Sequence, residues 1–309
     1  YQGQSLQISA SIGIAFTDEA STADELLRLS DTAMYYAKKE GGSSYRFYVE
    51  SMHREAMARL SLEEDLRTAL EANELKFYYQ PYIRLDQEEV LGVEALLRWE
   101  HPERGLLCAQ DFLDAAESAR LMTDIAKWEC ALLRHDIAMW NANNIPPIRV
   151  TMNLSASQLE SNDLVDWLEP LAQKDLLGDH TLSVEIPEEV IARISGARFM
   201  ALAKLHEMGI GLHVDHFGIG SIPLTTLCSL PFSVLKIDMS LVHDMSQQSS
   251  DNILINAAIM LAHHLGMQVG AVGVETDWQV QGYLAVPPMT AEELMRWLQN
   301  PSGAKAKTN

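Results

Sequence analysis

The feature that most constrains the fold is a series of short β-rich runs separated by segments with helical periodicity. The runs occupy residues 75–85, 90–99, 148–155, 182–185, 210–215, 234–238 and 268–274. Strands that alternate with helices favour a parallel sheet with helical crossovers. Seven runs and a candidate eighth near Gln281 predict an α/β fold whose sheet closes into a TIM-like (β/α)8 barrel.

Polar side chains lie in these runs or at their ends, on several different predicted strands. They are Glu94, Arg98, Asn153, Glu185, Asp215, Lys236 and Asp238. In a barrel of parallel strands, functional groups gather at the carboxyl ends of the strands. Carboxylate and amide oxygens from separate strands are the ligand set expected for Mg²⁺ or Mn²⁺. The sequence therefore predicts a divalent-cation site at that end of the barrel.

The first 74 residues follow a different pattern, which predicts a separate region ahead of the barrel. Residues 6–16 alternate like a strand, Thr22 and Glu25 fit a capping box that starts a helix, and residues 45–49 indicate a closing strand. Residues 50–74 contain no Pro or Gly and predict an amphipathic connecting helix. The predicted divisions are 1–49, 50–74, 75–299 and a tail at 300–309.

The acidic composition excludes one class of partner. A net charge of −20 repels the phosphates of long nucleic acids, so we expect no polymeric nucleic-acid partner. The negative net charge does not exclude small anionic ligands, because bound divalent cations can make the local charge at a binding site positive. Three scattered cysteines fit a reducing cytoplasm, and no apolar run suits a membrane-spanning helix. We expect a cytoplasmic segment without membrane contact, part of a longer chain in which membrane or sensor segments could lie upstream.

Four short motifs occur in the order in which the EAL phosphodiesterases carry them, and the chain resembles that family. They are Gln80-Pro81, Glu94-Ala95-Leu96-Leu97-Arg98-Trp99, Asn153-Leu154-Ser155 and Leu235-Lys236-Ile237-Asp238. Upstream, residues 11–15 and 31–38 resemble the last third of a GGDEF domain, although the GGDEF signature is absent from this chain. The resemblance implies a bacterial tandem protein of cyclic di-GMP signalling, with the end of a GGDEF domain at 1–49 and an EAL domain at 75–299.

The resemblance also implies a reaction and a set of metal ligands. In active EAL enzymes, a pair of divalent cations polarises a water that opens cyclic di-GMP to linear pGpG. The ligands of the first cation, Mg²⁺ or Mn²⁺, would be Glu94, Asn153, Glu185 and Asp215. Lys236 would help to activate the water, so that Lys236, Glu94 and Asp215 are the expected catalytic residues.

Other residues are expected to bind the ligand or to support the site. By resemblance, Arg98 would hold a ligand phosphate, and Gln80 and Gln281 would be further ligand-binding residues. Glu188 would steady the loop after Asp215, although Pro187 stands where the family has Thr. EAL domains commonly dimerise, so the resemblance extends to a homodimer and to a protein partner in signalling.

Two positions depart from the family pattern at the second cation. His216 replaces the second of two adjacent aspartates, and Val272 replaces a glutamate. Imidazole is a poor ligand for Mg²⁺, and valine binds no cation. Two interpretations of His216 stay open: it is a ligand for a softer metal such as Zn²⁺ or Mn²⁺, or it marks a site no longer used for catalysis.

A third departure concerns the end of the barrel. Only eight residues separate Val272 from Gln281, whereas a parallel crossover needs about 10 to 12 or more. Either the eighth strand is displaced, or residues 281–284 serve as a patch in a gapped barrel. Thr290 and Glu293 then predict a capped final helix that reaches Leu298.

Three functions compete at this stage. The first is a degenerate EAL domain that binds cyclic di-GMP as a receptor, with weak or no hydrolysis, and passes the signal to a partner. The second is an active or residual phosphodiesterase that gives pGpG. The third is a scaffold that contacts a protein partner and binds no nucleotide.

Overall fold

A computed structural model of the chain describes residues 9–19, 22–39, 42–84, 89–243, 250–271 and 287–299. The chain divides into two compact units. The N-terminal unit comprises Tyr1–Thr68 and Phe112–Ala119, and the barrel unit comprises Ala69–Asp111 and Arg120–Asn309. None of the helices in the described ranges is both long and apolar enough to cross a membrane.

The N-terminal unit contains a small strand–helix–strand arrangement. Strands β1 (Ile12–Ile14) and β2 (Tyr45–Phe47) pair in parallel, and helix α1 (Ala23–Lys39) connects them. A 3-10 turn at Thr17–Glu19 precedes α1. The Thr22 hydroxyl accepts a hydrogen bond from the Glu25 amide at 3.2 Å, which satisfies one of the free donors at the start of α1. Strand β2 is shorter than the closing strand predicted at residues 45–49. Residues 1–8 lie outside the described part of the chain.

Helix α1 packs closely on β1 because the strand carries a glycine at the point of contact. A Cβ atom on Gly13 would overlap the backbone of α1 at Ser30 and Met34. Leu29, Ala33 and Ala37 form the buried face of the helix. Helix α2 (Glu50–Ala72) comes after β2 and is one continuous helix, as the absence of Pro and Gly predicted.

The barrel unit is built on eight strands among the described residues. They are β3 (Leu75–Arg84), β4 (Glu89–His101), β5 (Gly105–Cys108), β6 (Arg149–Asn153), β7 (Thr181–Pro187), β8 (Gly211–Phe217), β9 (Phe232–Ile237) and β10 (Gln268–Ala271). They form one sheet in the order β10-β9-β8-β7-β6-β4-β3, and β5 pairs with β4. The sheet is curled, and the predicted TIM-like α/β fold is confirmed.

Helices separate the parallel strands. They are α3 (Ala109–Ser118), α4 (Met122–Ala142), α5 (Ala156–Glu160), α6 (Leu164–Leu168), α7 (Lys174–Leu177), α8 (Glu188–Ile191), α9 (Ala197–Glu207), α10 (Leu224–Ser229), α11 (Met239–His243), α12 (Ser250–His264) and α13 (Ala291–Gln299), with a 3-10 turn at Glu169–Leu171. The predicted capping box of the last helix is present, because Thr290 and Glu293 exchange hydrogen bonds of 2.9 and 3.3 Å.

The first two strands of the barrel unit depart from the expected parallel arrangement. Strands β3 and β4 pair in antiparallel, while β4, β6, β7, β8, β9 and β10 pair in parallel in chain order. The interval 85–88 is too short for a crossover helix, so this pair can only be a hairpin. Strand β5 was not anticipated, and it extends the sheet beside Arg98 and Trp99.

The chain returns to β3 near its end. Tyr79 and Met289 exchange backbone hydrogen bonds of 2.7 and 3.0 Å in an isolated antiparallel bridge. The predicted eighth strand near Gln281 and the short interval after Val272 lie outside the described residues. The described segment at Met289 therefore covers the β3 edge, opposite the side on which β4 pairs.

Below the polar positions, Tyr82 packs over Gly92 and beside Thr151. The Tyr82 hydroxyl lies 3.2 Å from the Thr151 hydroxyl, and a Cβ on Gly92 would overlap that tyrosine ring. Residues 182–186 of β7 are all buried, as is typical of a strand covered on both faces. This packed layer gives the carboxyl ends of the strands a fixed floor.

Candidate active site

The parallel register brings the predicted polar residues to one end of the sheet. Asn153 on β6 is paired with Glu185 on β7, and Asp215 on β8 is paired with Pro187. Glu94 lies on β4, opposite Thr151 of β6. Because neighbouring parallel strands present matching positions on the same face, these side chains converge.

Lys236, on β9, lies at the centre of the cluster. Its Nζ atom donates to Glu94 Oε2 at 2.8 Å and to Glu185 Oε2 at 2.6 Å. The Glu185 side chain is 3% exposed and that of Lys236 is 14% exposed, so the ion pairs are shielded from water. One ammonium group therefore bridges two carboxylates from different strands.

The charges in this cluster determine its protonation. Burial lowers the pKa of Lys236, but the carboxylates of Glu185 and Glu94 outweigh burial and raise it overall. Burial acts to raise the pKa of Glu185, Glu94 and Asp215 add to the rise, and the ammonium group of Lys236 acts against it. Burial also acts to raise the pKa of Glu94, but the charge and hydrogen bond of Lys236 lower it overall. Lys236 is thus protonated at neutral pH.

Asn153 completes this part of the site. Its Nδ2 atom donates to Glu94 Oε1 at 2.8 Å, so that Glu94 bridges Asn153 and Lys236. Gln80 of β3 is the direct cross-strand neighbour of Glu94. Antiparallel neighbours have Cβ atoms about 5 Å apart, which places Gln80 beside the cluster.

Arg98 lies further along the same strand. It follows Glu94 by four residues on β4, which corresponds to about 13 Å along an extended strand. Its Nη1 atom donates to the Leu97 carbonyl at 2.9 Å. The structure therefore places Arg98 on the face of β4 that carries Glu94, at a distance suited to a larger ligand and not to the cation cluster.

His216 occupies the space between two aspartates. Its Nδ1 atom lies 2.8 Å from Asp238 Oδ2, and its Nε2 atom lies 3.4 Å from Asp215 Oδ2. Asp238 also accepts two hydrogen bonds from Ser240. Burial acts to raise the pKa of Asp238, but these hydrogen bonds and His216 lower it overall. His216, which departs from the family pattern, therefore contacts both Asp215 and Asp238.

Glu188 contacts the loop that follows Asp215. Its carboxylate accepts hydrogen bonds from the backbone amides of Gly218, Gly220 and Ile222 at 2.8, 3.0 and 3.0 Å. The side chain is buried and lies at the start of α8. Three donors from one loop converge on a single carboxylate, so Glu188 fixes the path of the chain after Asp215.

Sequence reasoning missed a histidine beneath the cluster. His213 Nδ1 lies 3.5 Å from Glu185 Oε1, and both side chains are buried. Burial, with the charges of Arg149 and Lys236, lowers the pKa of His213 to about 3, so the imidazole is neutral. Only its position, two residues before Asp215 on β8, could have indicated that it shares the face of the site.

Two features of the cluster bear on cation binding. The buried Oδ1 atom of Asp215 has no hydrogen-bond partner in the described part of the chain, and Lys236 already provides a positive charge between Glu94 and Glu185. Both observations indicate a place where carboxylates meet a cation. Within the described ranges, however, no group of three or more His, Cys, Asp or Glu side chains is arranged to hold a metal ion. Gln281 and Val272 lie outside those ranges.

A comparison with protein-family models matches residues 63–285 to the EAL domain. Among characterised relatives, the chain is 35% identical over 302 residues to the bifunctional diguanylate cyclase/cyclic di-GMP phosphodiesterase MucR of Pseudomonas aeruginosa, covering 94% of this chain and 44% of MucR. It is 31% identical over 301 residues to the cyclic di-GMP phosphodiesterase PdeR of Escherichia coli, covering 94% of this chain and 45% of PdeR. The chain thus spans less than half the length of these relatives.

A comparison with solved structures also finds a similarity to MucR. The phosphodiesterase of MucR in complex with cyclic di-GMP superposes with a TM-score of 0.70 at 34% identity. The match covers 76% of this chain and 99% of the solved one. The similarity therefore extends over the whole of that solved domain.

Proposed function

The chain belongs to the EAL domain family, and from this premise we propose that it binds cyclic di-GMP as a receptor, with weak or no hydrolysis. Relatives named as cyclic di-GMP phosphodiesterases and a relative solved with cyclic di-GMP support the ligand. The placement of Arg98 and Gln80 on the strands that carry and flank Glu94 supports a binding surface next to the cluster.

We assign one divalent cation, Mg²⁺ or Mn²⁺, to Glu94, Asn153, Glu185 and Asp215. Oxygen ligands of this kind suit both ions. When bound, such a cation would act as a Lewis acid on a phosphoryl oxygen of the ligand. Of the protein's own groups, Lys236 holds Glu94 and Glu185 in place and supplies positive charge toward the phosphate, while Glu188 fixes the loop that follows Asp215.

The observation that carries the receptor proposal is the position of His216. Its imidazole lies between the carboxylates of Asp215 and Asp238, where the family pattern supplies a further carboxylate. In this position the imidazole supplies no oxygen ligand to a second hard cation. Val272, at the other family carboxylate position, adds no ligand. Two-metal hydrolysis thereby lacks the groups for its second cation.

A residual phosphodiesterase is the second candidate, because the Glu94–Lys236–Glu185 cluster is complete. In that case one cation and Lys236 would suffice for slow turnover. The third candidate, a scaffold that binds no nucleotide, rested on the short interval after Val272.

Restoring the two missing carboxylates tests the proposal. We expect the double variant His216→Asp with Val272→Glu to form pGpG at least about tenfold faster than the natural chain, a gain of about 1.4 kcal/mol in transition-state stabilisation. The matched control is His216→Asn with Val272→Glu, which keeps the shape of the side chain at position 216 but removes its negative charge. Product is measured by chromatography in Mn²⁺. If the natural chain already hydrolyses as fast as the double variant, the receptor proposal is wrong.

We also propose the domain arrangement. Residues 1–49 would be the C-terminal part of a GGDEF domain, 50–74 the connecting helix, 75–299 the EAL domain and 300–309 a tail. The strand–helix–strand arrangement of β1, α1 and β2 supports the first assignment. The homodimer, the protein partner and the cytoplasmic location stay predictions.

A further inference from the structure

A buried acid on α4 is hydrogen-bonded to the segment that carries Asn153. Glu129 is 7% exposed, and its Oε2 atom accepts a hydrogen bond of 2.8 Å from Gln158 Nε2. Gln158, on α5, is 5% exposed. No sequence pattern predicts this pair, because the two residues are 29 positions apart and belong to different helices.

Gln158 passes the contact on to the first turn of its helix. The side-chain Oε1 atom of Gln158 accepts a hydrogen bond from the backbone amide of Ser155 at 2.9 Å. The backbone amide of Gln158 donates to the Ser155 hydroxyl at 3.2 Å. This is a capping box, which needs the amide oxygen of Gln158 to face Ser155. A carboxylate only accepts hydrogen bonds, so Glu129 selects the NH₂ group of Gln158 and thereby directs the oxygen toward Ser155.

Ser155 is two residues from Asn153, at the carboxyl end of β6. The intervening Leu154 amide donates to the Glu185 carbonyl at 2.8 Å, which fixes the segment on its other side. Asn153 in turn donates to Glu94. The segment 153–155 is therefore held between β7 and the capping box of α5.

A small cavity lies beside this arrangement. A cavity of about 20 Å³ lies at this place, lined by Glu129, Gln158, Asn153, Met152 and Trp167 among others. Space beside the Gln158 amide would allow it to rotate once its hydrogen bond to α4 is lost. Burial raises the pKa of Glu129 to about 7, against the effect of the Gln158 hydrogen bond. A buried acid that has one hydrogen-bond partner among the described residues destabilises a core, which is consistent with a role other than packing.

We propose that Glu129 is a positioning residue, which orients Gln158, and through Ser155 the ligand Asn153, for the divalent cation. This inference rests on the proposed function in one respect, the assignment of Asn153 as a metal ligand. Glu129 lies on helix α4 and not at a strand end, so the inference adds a helix residue to those that support the site. Supporting residues that orient metal ligands typically change metal affinity about 10- to 100-fold when they are replaced.

The test is the affinity of the whole chain for Mn²⁺ alone, measured by electron paramagnetic resonance without nucleotide. We expect Glu129→Met, which keeps the volume and removes the acceptor, to weaken Mn²⁺ binding about tenfold or more. Glu129→Gln keeps an acceptor for Gln158 and should stay within about twofold of the natural chain. Asp136→Leu is the matched control, because Asp136 is a buried acid on the same helix that accepts from Tyr79 and not from Gln158.

The variants separate this inference from the proposed function. If Asn153→Ala leaves Mn²⁺ affinity unchanged, or the natural chain binds no Mn²⁺, the assignment of Asn153 fails and the positioning role fails with it. If Asn153→Ala weakens binding and Glu129→Met does not, only the positioning role is overturned. Should Glu129→Met not fold, Gln158→Leu interrupts the same contact from α5, and an unchanged Mn²⁺ affinity there contradicts the proposal.

Discussion

At the residue scale, Lys236 determines the electrostatics of the site. Three acids, Glu94, Glu185 and Asp215, act on its ammonium group, and two of them bond to it directly. Breaking a buried ion pair by removing one partner typically costs about 3 to 5 kcal/mol, because the other charge stays buried and unpaired. The lysine therefore keeps the carboxylates together, and a divalent cation would compete with it for the same oxygens.

Glu129 gives a pH prediction at this scale. Its pKa is raised from 4.5 to about 7 in the folded protein, so the folded chain holds the proton more tightly than the unfolded chain. The stabilising effect is complete below about pH 4.5 and is lost as the pH rises through about 7, by about 3 kcal/mol. Glu129→Gln removes this dependence. Chemical denaturation between about pH 5 and 8 should show the variant gaining stability over the natural chain as the pH rises, and a constant difference would contradict the assignment.

The candidate site residues differ in how far the sequence could identify them. Glu94, Asn153 and Glu185 were predictable as a cluster, because parallel strands bring their carboxyl ends together. His213 and Glu129 were not, because neither belongs to a recognisable motif. Their roles depend on contacts between segments far apart in the sequence, which local periodicity does not encode.

At the scale of elements, the loop between β8 and α10 depends on one side chain of α8. Glu188 accepts three backbone hydrogen bonds from this loop. Hydrogen bonds to a charged acceptor contribute about 1.5 to 3 kcal/mol each, more than those to a neutral one. The loop after Asp215 is therefore ordered by a contact outside the loop itself.

Replacing Glu188 should loosen this loop selectively. Glu188→Gln offers one carbonyl oxygen to three donors, and its NH₂ group faces at least one of them. We expect a stability loss of about 2 kcal/mol and faster hydrogen exchange at Gly218, Gly220 and Ile222. Glu189→Gln, its exposed neighbour on α8, serves as control. Equal exchange at these amides in both variants would argue against the role of Glu188.

The elements themselves were largely predictable, with informative exceptions. The β-rich runs correspond to strands because they are short and rich in β-branched and other apolar residues, which suit a buried sheet. The antiparallel pairing of β3 and β4 could be predicted only from the short interval between them, and not from their composition. Strand β5 has only four residues, so its pattern is too short to distinguish a strand from a loop.

At the scale of the whole molecule, charge makes a cation central to the account. The chain carries a net charge of −20, and cyclic di-GMP has two anionic phosphodiester groups. Repulsion between them is reduced when a divalent cation is bound at the strand ends. Removal of divalent cations should therefore abolish binding of the nucleotide.

The central claim is binding without efficient hydrolysis, and one experiment addresses it directly. The whole chain is titrated with cyclic di-GMP by calorimetry in Mn²⁺, in Mg²⁺ and in EDTA, and each mixture is then chromatographed for pGpG. The account predicts heat of binding with either cation, none in EDTA, and nucleotide recovered intact. Conversion to pGpG at the rate of an intact EAL enzyme, or no heat with either cation, would contradict it.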